Sequence, residues 1–129
     1  MAARSVAQES SELLILSLLA EGPRYGYSLS KEIASRSEDA VRLTPGVLYP
    51  LLKGMESQAL IESTWEEVRS ERREGDDEGE GRRRKWYRIT PKGRTRLAQR
   101  VESHHAWRRI IDLFLPAQKA EPGEGRAEA

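Results

Sequence analysis

Two side chains near the middle of the chain, Tyr49 and Lys53, have the chemistry and the spacing needed to hold phosphate groups. Because they are four residues apart, they would lie one turn apart on the same side of a helix. A tyrosine hydroxyl and a lysine ammonium both bind phosphate oxygens, and such contacts position a protein on a nucleic acid without reading its sequence. The alternative is that Tyr49 packs on a neighbouring helix while Lys53 is only solvated.

A second group of cations lies later in the chain and consists of Arg82, Arg83, Arg84 and Lys85. Alternate side chains of a strand point to opposite sides, so two of the four can face one surface at once. Five acids between residues 74 and 80 come just before this group and compete with phosphate for its charge. The alternative is therefore a solvated hairpin flank whose charge the acids neutralise.

A short helix is expected to present the tyrosine and the lysine. Its buried face is predicted from apolar residues at helical intervals of three and four, namely Leu48, Leu51, Leu52 and Met55. Thr44 is the expected N-cap, with a hydroxyl that accepts from a first-turn N–H, and Pro45 suits the first helical position. Gly46 and Pro50 leave the opposite face slim, so the backbone of another molecule can come close to it.

Around this helix the sequence predicts the order helix, helix, short strand, helix, hairpin and long helix. That is the order of a winged helix-turn-helix followed by a dimerisation helix, so the fold class is mostly α with a small β-hairpin, the wing. A flexible segment at 1–9 precedes the winged domain at 10–90, and the dimerisation helix at 91–115 precedes a disordered tail at 116–129. Within the winged domain we expect helices from Ser10 or Ser11 and from Tyr25, an extended piece at 41–43, and strands at 60–65 and 85–90 around a wing loop at about 66–84.

The last helix carries a wider apolar stripe than one small domain can bury. Its seam positions alternate by four and three residues, as in a heptad repeat, at Leu97, Val101, His104, Arg108, Ile111 and Leu115. Trp107 and Phe114 widen this seam. The first helix is apolar nearly all round, so we expect Leu13 and Leu16 to be covered by a second subunit. Together these residues form the predicted interface of a homodimer.

The composition excludes several classes of function. The chain of 129 residues is long enough for one domain and one modest core. It has no cysteine, which excludes disulfides, zinc–cysteine sites and a thiol nucleophile. Its longest apolar run, residues 13–20, is too short to span a bilayer, and no signal peptide is recognised, so a cytoplasmic protein without membrane contact is expected.

Nothing in the sequence predicts an enzyme, a cofactor or a metal site. A glycine-rich phosphate loop, a His-Glu-x-x-His motif and a serine elbow are all lacking. His104 and His105 are adjacent, and neighbouring residues on a helix point about 100° apart, so the two imidazoles cannot easily share an ion. A histidine on the surface or on the dimer seam is the simpler interpretation.

Four segments resemble the PadR family of bacterial transcriptional regulators, at residues 18–29, 43–52, 58–63 and 81–94. The most specific motif within them is Thr-Pro-Gly-Val-Leu-Tyr-Pro, and the resemblance covers residues 11–115. The single C-terminal helix is similar to that of the short-tailed subgroup, whose members are small dimers. An acidic insertion around residues 66–80 departs from the family pattern.

The resemblance implies a dimeric repressor that binds a palindromic operator in double-stranded DNA and releases it when a small ligand arrives. The central helix would enter the major groove. The matching DNA-contact positions are Tyr25, Thr44, Gly46, Tyr49, Lys53, Arg82, Arg83, Arg84 and Lys85. The resemblance also implies a cavity between subunits for a planar or aromatic effector, with His104 and Trp107 as candidate residues. The alternative is that Trp107 belongs to the dimer core.

Two other functions fit the sequence. Residues 21–68 contain five cations and eight acids, a net charge of −3, which favours a protein-interaction adaptor that reuses the winged fold without binding DNA. Residues 86–115 contain seven cations and two acids, so the positive charge lies C-terminal to the central helix. A small-molecule sensor that controls a partner protein is the second possibility.

Overall fold

The helices and strands largely follow the predicted order. The computed structural model describes residues 6–67 and 83–117. In chain order the elements are α1 (Val6–Glu21), β1 (Arg24–Tyr25), α2 (Gly26–Arg36), α3 (Pro45–Ser57), β2 (Ile61–Glu67), β3 (Arg83–Ile89) and α4 (Pro91–Phe114). The first three helices and an antiparallel sheet form a winged helix-turn-helix, from which α4 extends. The predicted fold class, mostly α with a small hairpin, is confirmed.

The first helix begins earlier than expected. Because α1 starts at Val6, the expectation of a flexible segment at 1–9 is wrong for residues 6–9, while residues 1–5 lie outside the described part of the chain. Glu9 lies in the first turn, where the helix dipole favours a negative charge and so supports the longer helix. At the other end, the predicted tail beyond residue 117 also lies outside the described residues.

The short strand of the sheet is Arg24–Tyr25, and the expected extended piece at 41–43 forms no strand. The Ser37 hydroxyl accepts a hydrogen bond from the Val41 N–H at 2.9 Å, so that N–H is already engaged by a turn. Pro23 cannot continue α1, and the two residues that follow it pair antiparallel with β3. The third strand therefore comes from the connection between α1 and α2.

The wing is a hairpin of β2 and β3, paired from Ile61 opposite Ile89 to Glu67 opposite Arg83. Since β1 pairs with the other edge of β3, the sheet has the order β1-β3-β2. Both long strands extend into the predicted wing loop. The remainder of that loop, with Arg82 and the acids at 74–80, lies outside the described residues.

The core lies among α1, α2, α3 and the sheet, and it holds α3 by one face. The predicted buried face of α3 is confirmed, because its four apolar residues are all 8% exposed or less: Leu48, Leu51, Leu52 and Met55. The opposite face of α3 is therefore free to meet another molecule.

The apolar surface of α1 is covered largely by its own chain, since α1 contacts α2, α3, α4 and β3. Leu16 is completely buried within one subunit, so its assignment to the dimer interface is wrong. Leu13 is half-buried beside α4, and Leu97 packs partly against the same core. Several elements of the same chain together cover the apolar surface of α1.

The start of α4 is fixed against the start of the wing. Thr90 caps α4, because its hydroxyl accepts a hydrogen bond from the Gly93 N–H at 2.9 Å. The Thr90 N–H in turn donates to the carbonyl of Leu60 at 3.0 Å. A Cβ added at Gly93 would lie 2.1 Å from that Leu60 oxygen, so only glycine fits there. The long helix therefore leaves the wing in one fixed direction.

Replacing Gly93 with alanine should destabilise the protein by about 1–3 kcal/mol, because the added methyl forces the backbone of Leu60 to shift. Urea unfolding at one fixed protein concentration, followed by circular dichroism, measures this loss. The matched control is Gly54→Ala, because a Cβ there meets no atom within 4 Å and alanine is the better helix former by about 1 kcal/mol. Equal stability of Gly93→Ala and the wild type would show that the Leu60 contact constrains nothing.

Candidate nucleic-acid interface

An open cleft of about 680 Å³ lies between α3 and the wing, and we call it the α3–wing cleft. Aromatic rings and charged groups line it, namely Tyr25, Gly26, Tyr27, Tyr49, Lys53, Glu56, Trp65, Arg84, Lys85 and Tyr87. Five of the nine predicted DNA-contact residues come together there: Tyr25, Tyr49, Lys53, Arg84 and Lys85. Segments that are far apart in sequence therefore converge on one concave surface.

The exposed side of α3 carries the tyrosine and the lysine, as the sequence predicts. Lys53 is exposed, and Tyr49 is 41% exposed. The inner edge of the Tyr49 ring lies against α2, because a Cβ added at Gly26 would come within 2.9 Å of the Tyr49 hydroxyl oxygen. Tyr49 thus combines both alternatives from the sequence, since it packs on a neighbouring helix and still presents an edge outward.

Thr44 occupies the N-cap position of α3, yet its hydroxyl makes no capping hydrogen bond, so that part of the prediction is wrong. Instead its carbonyl accepts from the N–H groups of Val47 at 2.9 Å and Leu48 at 2.8 Å. Thr44 and Gly46 are both exposed on the first turn, outside the α3–wing cleft. The first turn of α3 therefore presents a hydroxyl and a bare backbone to its surroundings.

One wing cation lies over the tyrosines of β1 and α2. The Arg84 guanidinium is 5.0 Å from the ring centre of Tyr25 and 5.8 Å from that of Tyr27. Cations are attracted to the negative face of such rings. Tyr25 also meets Trp86 edge to face, with ring centres 4.4 Å apart. This stack of rings holds the arginine beside the cleft instead of leaving it fully solvated.

The hydroxyl of Tyr25 is engaged by an acid of the wing, which sequence reasoning did not foresee. It donates a hydrogen bond to Glu66 Oε1 at 2.7 Å. This bond stabilises the neutral phenol and raises the pKa of Tyr25 above its ordinary value. A phosphate that used this hydroxyl would have to replace the Glu66 carboxylate.

Lys85 reaches the cleft from the sheet. Its ammonium is 5.4 Å from the ring centre of Trp65 and 5.9 Å from that of Tyr87, and it lies 3.9 Å from Glu56. Glu56 also accepts a hydrogen bond from the Ser63 hydroxyl. Burial, helped by the charge of Glu56, raises the pKa of Tyr87 to about 12, so this phenol stays neutral. Lysine, acid and rings together form the floor of the cleft.

The two remaining predicted cations, Arg82 and Arg83, lie at or beyond the end of the described part of the wing. Arg83 pairs through its backbone with Glu67 at the end of the described wing, and Arg82 lies outside the described residues. Among the residues that sequence reasoning missed are Tyr27, Trp65, Glu66 and Trp86. Only Tyr27 carried a signal, since it belongs to the same Tyr-Gly-Tyr segment as Tyr25. The others depend on the hairpin register, which the long loop hides.

The outer half of α4 is exposed and apolar. Trp107 is 60% exposed, and Leu113 and Phe114 are each 81% exposed. A groove of about 650 Å³ between α1 and α4 brings both candidate effector residues, His104 and Trp107, next to two predicted interface residues, Leu13 and Ile111. Of the predicted seam, Val101, Arg108 and Leu115 are exposed as well.

Beneath this groove lies a charged group with little exposure. Glu12 is 2% exposed and lies 3.4 Å from the guanidinium of Arg100, so an ion pair joins α1 to α4.

Within residues 6–67 and 83–117 no helix has both the length and the apolar character needed to cross a bilayer. The same residues contain no group of three or more His, Cys, Asp or Glu placed to hold a metal ion.

Comparisons with known proteins agree with this architecture. A family model, the transcriptional regulator PadR-like family, matches residues 15–99. Transcriptional regulator Rv3488 of Mycobacterium tuberculosis is 31% identical over 122 residues, which is 95% of this chain and 98% of that protein. The solved structure of a transcriptional regulator from Clostridium thermocellum superposes with a TM-score of 0.70 at 28% identity, covering 90% of this chain and 100% of that one.

A second solved structure, a PadR family transcription regulator from Clostridium difficile, superposes with a TM-score of 0.66 at 29% identity. The superposition covers 82% of this chain and 98% of the Clostridium difficile chain. The matched region contains α2, α3, the wing and the first part of α4, so the whole α3–wing cleft lies within it. The chain therefore belongs to the PadR-like family of transcriptional regulators.

Proposed function

We propose that this transcriptional regulator is a dimeric repressor that binds a near-palindromic DNA operator and releases it when a small planar or aromatic molecule binds. The α3–wing cleft carries the proposal, because Tyr49 and Lys53 on α3 converge there with Arg84 and Lys85 of the wing. Phosphate oxygens are the acceptors that such a set of groups suits. As a repressor in a bacterium, the protein would act in the cytoplasm, where the chromosome lies.

In the proposed complex, the first turn of α3 enters the major groove of DNA. Thr44 and the backbone at Gly46 approach one phosphate, helped by the positive end of the helix dipole. Tyr49 and Lys53 hold the next phosphates, and the wing cations hold the backbone across the groove. Because these contacts release counterions, the affinity for DNA falls steeply as salt rises.

The proposed dimer forms through α4. Its exposed apolar residues, including Trp107 and Phe114, form a surface that isolated soluble domains rarely leave in water. A second copy covers this surface when two α4 helices pack along their seams. A two-fold axis then sets the two α3 helices about 34 Å apart, which matches successive major grooves and a near-palindromic operator.

The proposed effector site is the groove beside Trp107 and His104. The exposed indole offers a flat surface on which a planar ring can stack, and the groove lies where the two copies would meet. The rival interpretation is that Trp107 is only part of the dimer core. Titration with planar aromatic compounds decides between them, because a loss of Trp107 fluorescence supports the effector site and an unchanged spectrum contradicts it.

An adaptor that does not bind DNA is the alternative, and the acids of the cleft are the observation in its favour. Glu56 lies in the cleft and Glu66 holds Tyr25, so part of the cationic charge is already balanced. Three cations still stand against these two acids, namely Lys53, Arg84 and Lys85. We therefore favour DNA as the partner over a protein.

Lys53→Ala should weaken binding to DNA of every sequence and make the salt dependence shallower by about 0.9 in the slope of log K against log salt, since one phosphate contact is lost. Gel shifts with the DNA upstream of its own gene, repeated over a range of salt concentrations, measure both effects. Lys92→Ala removes an exposed cation outside the cleft and is the control. Parallel salt plots for Lys53→Ala and the wild type would argue against phosphate contact by Lys53.

Glu66→Gln should raise the affinity for DNA of random sequence about fivefold at low salt. A unit charge about 4 Å from another contributes ~1 kcal/mol in water, and this substitution removes one negative charge beside the cleft cations. Fluorescence anisotropy with a labelled duplex measures the change. Glu62→Gln is the matched control, because Glu62 lies on the same strand but pairs with Arg88 at 3.1 Å. The competition between Glu66 and phosphate is refuted when both variants bind alike.

Ile111→Glu should convert the dimer into a monomer of 14.7 kDa, because it places a charge on the proposed α4 seam. Light scattering after gel filtration measures the mass, and circular dichroism checks that the subunit stays folded. Ile111 is 45% exposed in one subunit, so a charge there leaves the monomer fold intact. Arg109→Glu, on the opposite side of α4, should stay dimeric. A monomeric wild type would rule out the dimer itself.

A further inference from the structure

The exposed side of α3 is poor in the groups that usually read base edges. Arginine, lysine, asparagine and glutamine make the bidentate hydrogen bonds that tell one base pair from another in the major groove. Of these four residue types, residues 44–57 contain only Lys53. The helix that the proposed function places in the groove therefore has few side chains suited to direct hydrogen-bond readout.

The polar side chains of α3 are few, and three of them, Tyr49, Glu56 and Ser57, already make contacts within the subunit. The Ser57 hydroxyl donates to the carbonyl of Lys53 at 3.2 Å, within the helix itself. Tyr49 lies against Gly26 and lines the α3–wing cleft, which faces the wing. Thr44 and Lys53 remain, and both suit phosphate at least as well as a base.

An apolar side chain stands at the position where base contact is expected. Val47 is the third residue of α3 and is 50% exposed. Pro50 follows three residues later on the same side of the helix and is exposed too. The first residues of a recognition helix are the ones that reach base edges. Val47 thus lies at the leading end of α3, among exposed residues.

Two glycines keep this apolar side clear. A Cβ added at Gly46 or at Gly54 would meet no atom within 4 Å, so neither glycine is needed for packing within the subunit. Gly54 lies seven residues after Val47 and therefore on the same side of the helix. Glycine within a helix is less stable than alanine by about 1 kcal/mol. Alanine at these two positions would make the helix more stable but also bulkier. Glycine instead leaves space beside Val47 in which another molecule can come close.

We propose, on the basis of the DNA-binding function above, that Val47 recognises the 5-methyl group of a thymine in the major groove of the operator. Among the edges that base pairs expose in that groove, the thymine methyl is the distinctive apolar group, and small apolar side chains contact it. Phosphate oxygens offer no apolar partner, and sugar carbons are the same at every base pair. Pro50 extends the apolar contact toward the next base pair. Sequence reading by α3 then depends on shape and thymine methyls more than on hydrogen bonds.

The experiment starts from the full chain and a random pool of DNA. Duplexes that the protein retains are selected and sequenced, and the tightest one is kept. Each thymine of that duplex is then replaced by deoxyuridine, at the equivalent position of both half-sites, which removes the 5-methyl and nothing else. The affinities of wild type and Val47→Ala are measured for every duplex by fluorescence anisotropy.

For the wild type we expect one thymine position at which deoxyuridine lowers the affinity about fourfold per half-site, the effect of one apolar carbon returned to water. Val47→Ala should show a clearly smaller loss at that position, because most of the apolar surface that meets the methyl is already removed. Lys53→Ala is the matched control on the same helix. It should weaken both duplexes and keep the wild-type ratio between thymine and deoxyuridine.

Three results would overturn the inference. When every deoxyuridine duplex binds the wild type as tightly as the parent, no methyl is read, although selection of a tight duplex still supports DNA binding. When deoxyuridine lowers the affinity of wild type and Val47→Ala by the same factor, a residue other than Val47 reads the methyl. When no duplex is enriched from the pool, the proposed function fails together with this inference.

Discussion

The backbone of Leu60 is the point on which the arrangement of the molecule depends. Its N–H donates to the carbonyl of Met55 at 3.0 Å, which ties it to the last turns of α3. Its carbonyl accepts from the Thr90 N–H, and Gly93 is pressed against the same oxygen. One residue thus joins the end of α3, both long strands of the wing and the start of α4. Main-chain contacts at this single residue therefore connect α4 to both α3 and the wing.

The α3–wing cleft shows how a mildly acidic domain can still gather cations on one surface. Its cations are not scattered over the surface but are held by rings and by a small number of carboxylates. Rings keep a guanidinium or ammonium in place without neutralising it. Carboxylates, in contrast, share the charge and must give way when another anion arrives. The charge that this surface leaves available depends on the balance between the two kinds of contact, and the net charge of the domain does not reveal that balance.

Much of the fold could be predicted because its main signals are local. The spacing of the four apolar residues on α3 predicted its buried side, and α4 begins at Pro91, as the predicted bounds had it. Thr44 shares the preferred residue type with Thr90, but only Thr90 forms the side-chain cap, because residue preference does not determine where a hydroxyl points.

The errors arose where distant contacts decide. A strand of two residues has no periodicity, so β1 became visible only through its pairing with β3. The apolar character of Leu16 predicts that this residue is buried, but it does not tell whether the same chain or a second subunit buries it. The bond between Tyr25 and Glu66 joins residues 41 positions apart and depends on how β1 and β2 both pair with β3. Residue chemistry and the family resemblance together identified the three cations of the cleft and two of its tyrosines, Tyr25 and Tyr49, but not the acids Glu56 and Glu66.

The seat of Tyr49 on Gly26 has a thermodynamic consequence. A fully solvated side chain loses rotamer freedom when it binds a partner, and this loss of entropy opposes association. The Tyr49 ring already rests on a backbone that leaves no room for inward motion, as the 2.9 Å spacing from a hypothetical Cβ at position 26 shows. The Tyr49 side chain therefore loses much of its rotamer freedom when the chain folds. Gly26 of α2 thereby restricts the Tyr49 side chain, so a partner that contacted this ring would remove little further rotamer freedom from it.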